Sequence, residues 1–322
     1  MQEHAVIFGG AGFIGRHLAR ALRTRGAAVS VADIAETVRP ISGVRYFHVD
    51  VRQPINEVEL GATPDTVIYN LAAVHRTPGH KSAEYFDTNV EGAKNIVDFA
   101  DRAGVRRIVF TSSIAVYGPR EERLDEDAKP LPSSSYGWSK LLAERVFDEW
   151  GAGNPDRRLT TVRPAVVFGP GEAGNFTRLA GALQRRLFAY PGRRDTIKGC
   201  CYVKDLIDSF DFALTLDRPA FLYNFAYPDP YTIEAICDAF HQVGGLPRPV
   251  ARAPAWMLSA AAAPFERLEG LGLNLGVNRA RIAKLTRSTH IAPQRLQELG
   301  FEFRSGLSDG LSDWRREAGA FV

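Results

Sequence analysis

The chain has 322 residues, 45% of them hydrophobic and 24% charged, a balance typical of folded soluble proteins that excludes disordered, collagen-like and low-complexity chains. The 40 Lys and Arg against 37 Asp and Glu leave a net charge of +3 spread along the chain, so nucleic acid is not implied as a partner. Three cysteines, two of them adjacent at Cys200 and Cys201, draw no disulfide framework and fit a reducing cytosol, so a cytoplasmic location is expected. The start, from Met1 through Glu3 and His4, has no signal-peptide pattern. The most membrane-like stretch, Ala253 to Pro264, is far short of the ~20 apolar residues of a span, and no membrane span is expected.

In chain order, short β-branched runs alternate with longer amphipathic segments. Strands are predicted over Ala5 to Phe8, Ala28 to Ala32, Arg45 to Val49, Thr66 to Asn70 and Arg107 to Thr111. Between them, Gly12 to Arg25 and Ala83 to Ala103 read as helices closed by Gly26 and Gly104. A helix over Tyr136 to Glu149 and a strand over Leu159 to Val167 continue the series. The fold expected is α/β, a Rossmann-like doubly wound parallel sheet whose ligands bind at the carboxyl ends of the strands. After Gly169 the rhythm breaks and Pro and Gly become frequent. The division expected is therefore a dinucleotide-binding domain over residues 1–170 and a smaller C-terminal substrate-binding lobe over 171–322, some of whose segments return to the first domain.

Gly9, Gly12 and Gly15 follow the first strand and open the first helix with Phe13 and Ile14 between them, a spacing that lets backbone approach a pyrophosphate at a helix N-terminus. Asp33 ends the second strand, where a carboxylate accepts ribose hydroxyls and repels a 2′-phosphate, so NAD is expected over NADP. Asp50 and Val51 are candidates for the adenine edge. Leu71, Ala72 and Ala73 offer small side chains where the cofactor passes.

Tyr136 and Lys140 stand four residues apart, on one face of a helix, where a phenol and an ammonium can act on one substrate. The ammonium, with an oxidised nicotinamide, is expected to lower the phenol pKa so that Tyr136 exchanges a proton near neutrality. Ser113 ends the fifth strand beside the same crevice, placed to hydrogen-bond the substrate oxygen. His75, at the end of the fourth strand, is a further candidate for the substrate. Cys200 and Cys201, adjacent in a strand, should point to opposite faces with one of them in the core. No residues are assigned to a metal.

With these segments in hand, the chain resembles the extended short-chain dehydrogenase/reductase family, in its sugar-nucleotide epimerase and dehydratase branch. The matching runs are Gly9 to Gly15, Asp33, Asn70 to Ala73, Asn89 to Gly92, Thr111 to Gly118, Tyr136 to Lys140 and Arg163 to Gly171. The resemblance implies an NAD-bound Rossmann domain, Ser113, Tyr136 and Lys140 as a catalytic triad, and Pro164 and Val166 beside the cofactor. It also places Asn175 and Lys198 beside the nucleotide of a nucleotide-sugar substrate, and implies a homodimer.

Within that branch, dehydratases and decarboxylases carry acids where this chain has Ile114 and Ala115, and a methyl group cannot protonate a leaving hydroxyl. What remains is 4-epimerisation of a nucleotide-activated hexose, with reduction of a 4-keto deoxysugar as the alternative. Val166 replaces a substrate-binding asparagine of many relatives, and Lys198 replaces an arginine, keeping the charge but losing the bidentate fork. Oxidation of a lipophilic, sterol-like alcohol and a catalytically silent NAD-binding regulator are the remaining readings. Trp256 to Leu275 is expected to be an apolar wall, a dimer contact or a membrane-surface patch.

Overall fold

A computed structural model of the chain describes residues 3–36, 39–56, 60–76, 79–254 and 286–321. The segment Trp256 to Leu275 lies outside the described residues. Seven parallel strands form the central sheet: β1 (His4–Phe8), β2 (Ala28–Asp33), β3 (Val44–His48), β4 (Val67–Asn70), β5 (Arg107–Thr111), β7 (Arg158–Pro164) and β11 (Ala220–Phe225). Their order is β11-β7-β5-β4-β1-β2-β3. The chain winds outward from β1 in one direction and from β4 in the other, so the switch point lies between these two strands, where such sheets open a ligand crevice.

Helices cover both faces. On one, α1 (Phe13–Thr24) packs against the later helix Val203–Thr215; on the other, Gly92–Arg102 packs against Ser135–Ala152. In chain order the helices are α2 (Ser82–Phe86), α3 (Gly92–Arg102), α4 (Ser135–Ala152), α5 (Asn175–Gln184), α6 (Val203–Thr215), α7 (Ile233–Gly244), α8 (Gln294–Glu298) and α9 (Leu307–Ala318). Because both faces are buried, β1 is apolar from Ala5 to Phe8 and its alternate side chains part company. Ala5 and Ile7 join Leu18, Leu22 and Phe210, while Val6 and Phe8 join Ile96, Phe99 and Phe147. Phe8 meets Phe99 edge to face at 5.6 Å.

The helix expected over Ala83 to Ala103 is three pieces, with a π-helical turn at Asp87–Glu91 between α2 and α3. The strand expected over Leu159 to Val167 divides at Ala165. Beyond it β8 (Val166–Phe168) leaves the main sheet to pair with β10 (Cys200–Tyr202). Cys200 and Cys201 are both buried, which corrects the expectation of one buried face, because this small pair is covered by core on both sides. β11 returns from beyond residue 170 to extend the main sheet beside β7. Two smaller parallel pairs complete the chain, β9 (Tyr190–Pro191) with β12 (Arg252–Ala253) and β6 (Arg120–Leu124) with β13 (Thr289–Ile291). No helix of the described residues is long and apolar enough to cross a membrane.

Candidate active site

The glycine turn sits at the switch point. Gly9 has φ +76°, and a Cβ built on it would lie 2.5 Å from the Ala72 nitrogen, so β1 and the β4 exit touch backbone to backbone. A Cβ at Gly15 would lie 2.5 Å from the Gly10 Cα, which keeps α1 tight against the turn. Gly12 caps α1 without a side-chain bond, and the half-buried Phe13 and Ile14 occupy its first turn. The result is a tight glycine turn at a helix end whose N–H groups favour an anion.

Asp33 accepts from the Ala11 nitrogen at 3.0 Å through one oxygen and from the Ala35 nitrogen at 2.9 Å through the other. A carboxylate has about four acceptor directions, so two backbone bonds orient it and leave capacity for a ribose diol. Asp50 is held differently. The Arg52 guanidinium chelates it, with Nη2 at 2.7 Å from Oδ2, and holds its pKa below the usual carboxylate range. Val51 is buried against Gly92, and Asn95 donates to its carbonyl at 2.8 Å.

Leu71, Ala72 and Ala73 leave β4 half-buried, with the Leu71 N–H bonded to the Phe8 carbonyl at 2.8 Å and Ala72 N–H to the Asn70 side chain. Asn89, on the π-helical turn, exchanges two hydrogen bonds with the backbone of Val74 and donates to Ser139 Oγ at 2.8 Å. It ties the β4 exit to α4. His75 follows, exposed yet flanked by protein; desolvation lowers its pKa, a backbone bond with Ala73 opposes this, and Arg76 and Lys140 add to the lowering.

Ser113 and Tyr136 meet where the end of β5 faces the start of α4, with Lys140 one turn further along that helix. Ser134 caps α4 by accepting the Gly137 N–H at 3.1 Å, and a Cβ at Gly137 would lie 2.4 Å from the Ala115 carbonyl oxygen, so this helix end seats directly on the turn after β5. Ser113 starts that turn, its Oγ accepting from the Ala115 N–H, and Tyr136 is hydrogen-bonded to it. Burial raises the Tyr136 pKa, opposed by the Ser113 bond and reinforced by Tyr85, whose ring centre is 6.2 Å away. The lowering expected from the sequence is for the site with oxidised nicotinamide bound; in the protein alone the desolvation of the phenolate outweighs its hydrogen bond. Lys140 is 2% exposed, with its ammonium 4.4 Å from the centre of the Phe110 ring. Burial pulls its pKa down to about 7, against the pull of Glu144 one turn further on.

Pro164, the last residue of β7, is buried, and Val166 is half-buried at the start of β8. Lys198 is half-buried and donates to the Arg287 carbonyl; burial lowers its pKa to about 8, with Glu121 opposing. Asn175 opens α5 on the exposed surface, its side-chain oxygen accepting from Arg178 at 3.0 Å. Tyr85, Asn89 and Glu144 were not singled out as site residues by sequence reasoning, since each reaches the site through contacts between distant segments. A cleft of about 420 Å³ between Tyr202, Asp205, Arg304 and Asp313 includes none of the candidate residues.

A family model described as "NAD dependent epimerase/dehydratase family" matches residues 5–225. A relative from Escherichia coli O157:H7, N-acetyl-alpha-D-glucosaminyl-diphospho-ditrans,octacis-undecaprenol 4-epimerase, is 28% identical over 97% of this chain and 94% of its own. Among solved structures, MoeE5 in complex with UDP-glucuronic acid and NAD is 26% identical, with TM-score 0.75 over 98% of this chain and 99% of that one. The UDP-glucose 4-epimerase of Thermus thermophilus, in complex with NAD, shares the fold at 22% identity, with TM-score 0.77 over 99% of this chain and 100% of that one. The chain is an enzyme that belongs to the NAD-dependent epimerase/dehydratase family, of the extended short-chain dehydrogenase/reductase type, and its cofactor is NAD.

Proposed function

We propose that the protein is a 4-epimerase of a hexose carried on a diphosphate. The observation that carries this reading is the turn after β5. Ser113 meets Tyr136 there, and the next two residues are Ile114 and Ala115, so the turn offers a hydroxyl and a phenol but no carboxylic acid to expel water or carbon dioxide.

NAD, when bound, supplies a hydride acceptor and donor. The glycine turn at Gly9 to Gly15 and the Asp33 carboxylate fit its pyrophosphate and ribose, with Asp50, Val51, Leu71 to Ala73, Pro164 and Val166 as further contacts. Tyr136 takes the proton of the C4 hydroxyl and later returns it to the C4 oxygen, so the net reaction needs no added reductant. Ser113 hydrogen-bonds that oxygen, which holds the sugar at the phenol. Lys140 contributes positive charge one helical turn from Tyr136, favouring the phenolate during the step. Lys198 is proposed to hold the diphosphate, and His75 and Asn175 to lie along the sugar and its carrier. Two subunits are proposed to associate as a homodimer, and the chain to divide functionally near residue 170.

The carrier has two chemistries to choose between. A nucleoside is favoured by the likeness to MoeE5, solved with UDP-glucuronic acid. A polyprenol is favoured by the E. coli relative, whose match runs over nearly the whole of both chains. Incubation with UDP-linked and polyprenyl-diphosphate-linked N-acetylhexosamines, read by NMR at C4, tests the reading. Interconversion of C4 epimers without added NADH supports it; a product lighter by one water, or NADH consumed mole for mole, overturns it.

A further inference from the structure

The C-terminal lobe presents two large apolar side chains to solvent, each just before one strand of the same pair. Leu187 is 77% exposed and Val250 is 88% exposed. They enter the same parallel pair, since Leu187 lies three residues before Tyr190 and Val250 two residues before Arg252, and Tyr190 and Arg252 are partners in register. Arg194 donates to the Val250 carbonyl at 3.3 Å, which fixes this edge to the body of the lobe.

The exposure of Leu187 is built in. α5 ends with the Leu187 N–H on the Ala182 carbonyl and the Arg186 N–H on the Leu183 carbonyl, both at 2.9 Å. This double closure requires a left-handed residue, and here it is Arg186 at φ 57°, where glycine is favoured. Such a closure ordinarily folds the following apolar residue back onto its helix. Phe188 instead turns inward to meet Tyr190 at 5.7 Å, and Leu187 is left outside.

The two stretches of chain that carry this pair are rich in arginine, with the acids Asp238 and Glu234 each held by one of these arginines. Arg185, Arg186, Arg248 and Arg252 are all exposed. Arg248 pairs with Asp238 at 2.8 Å, and the other three make no ion pair with a described residue. Apolar side chains flanked by arginines match the interfacial zone of an anionic bilayer, where the apolar groups enter the acyl boundary and the cations meet headgroup phosphates. The same run of chain carries Lys198 eight residues after Tyr190, so the face and the proposed diphosphate residue are on one segment.

We propose that the Leu187–Val250 face seats the enzyme on an anionic phospholipid surface, where a hexose diphosphate on a lipid carrier is presented to it. The proposal deepens the diphosphate-hexose reading above and rests on it for the substrate alone. Attachment is peripheral and uses described residues only.

Vesicle flotation of the full chain tests it, with phosphatidylcholine alone and with about 30% phosphatidylglycerol added, at low and high salt. The chain should float with the anionic vesicles only and be released by salt. Leu187→Glu with Val250→Glu, and separately Arg185→Ser with Arg186→Gly, should each lower the bound fraction roughly tenfold or more, since each removes one of the two attractions. Both variants should turn over a water-soluble nucleotide sugar as the parent chain does if that sugar is a substrate.

Failure of the parent chain to float, or equal flotation of the parent and Leu187→Glu/Val250→Glu chains, overturns the proposal. A dimer that becomes monomer in that variant, with no vesicle binding by the parent, assigns the face to a second copy instead. Vesicle binding without C4 interconversion of any substrate would overturn the functional reading and leave the docking face standing.

Discussion

Arg163 on β7 holds Glu144 on α4 with both arms of its guanidinium, Nε to Oε1 at 2.9 Å and Nη2 to Oε2 at 2.7 Å, with their side chains 6% and 4% exposed. Ser112 also donates to Glu144, and Arg163 donates to the Tyr117 hydroxyl at 2.8 Å, which in turn donates to Asn224. The chain of bonds joins the helix of Lys140 to β5, β7 and β11. Arg163→Met leaves a buried carboxylate without its partner and should cost about 3–5 kcal/mol in urea unfolding. Arg163→Met with Glu144→Leu should recover most of that loss. A single variant as stable as the parent chain would show that the pair is not structurally coupled.

Lys140 supplies a pH signature. Burial holds its pKa at about 7 in the folded chain, against 10.5 in the unfolded one. Between those values the unfolded chain binds the proton and the folded chain does not, so this group makes the apo protein more stable as pH rises through the window. Below about 7 both states are protonated and the burial penalty stays constant. Lys140→Met removes the effect, so its melting temperature relative to the parent should be highest near pH 7 and fall towards pH 10. Parallel melting curves would place the ammonium in water.

Tyr136→Phe keeps the ring and its contact with Tyr85 but loses the hydroxyl that meets Ser113. Turnover should fall by about 10²–10⁴, the range for lost acid–base catalysis, with NAD affinity unchanged by calorimetry. Activity near that of the parent would remove Tyr136 from the mechanism.

Asp33 bonds the Ala11 and Ala35 backbones and is the carboxylate proposed for the ribose diol. Asp33→Ala should weaken NADH more than NADPH and so narrow the preference between them, as read by isothermal titration. Tighter binding of NADPH than NADH by the unaltered chain would refute the assigned role of Asp33.

The parallel sheet was legible because β1, β2, β4 and β5 are buried on both faces and read as short apolar runs, and because Gly26 and Gly104 end helices with positive φ. The placement of Tyr136 and Lys140 one turn apart on a helix followed from their spacing. What escaped depends on partners far along the chain. Asn89 interrupts a continuous helical pattern because its amide is taken by Val74 and Ser139, 15 and 50 residues away. β11 lies in the stretch where the rhythm of the sequence breaks, and only its register with β7 shows that it returns to the first sheet. Ala165 carries no signal for the point where β7 ends and β8 departs, since what separates them is the choice of partner, Phe225 for Pro164 and Cys200 for Val166.

In the proposed reaction, hydride leaves C4 and returns to the same carbon within one active site, with Tyr136 moving the accompanying proton. A substrate deuterated at C4, converted in ordinary water and read by mass spectrometry and NMR, tests this most directly. The mechanism predicts C4-epimeric product with the deuterium retained at C4. Product whose C4 hydrogen comes from solvent would contradict it, because inversion would then proceed by deprotonation at carbon rather than by hydride transfer.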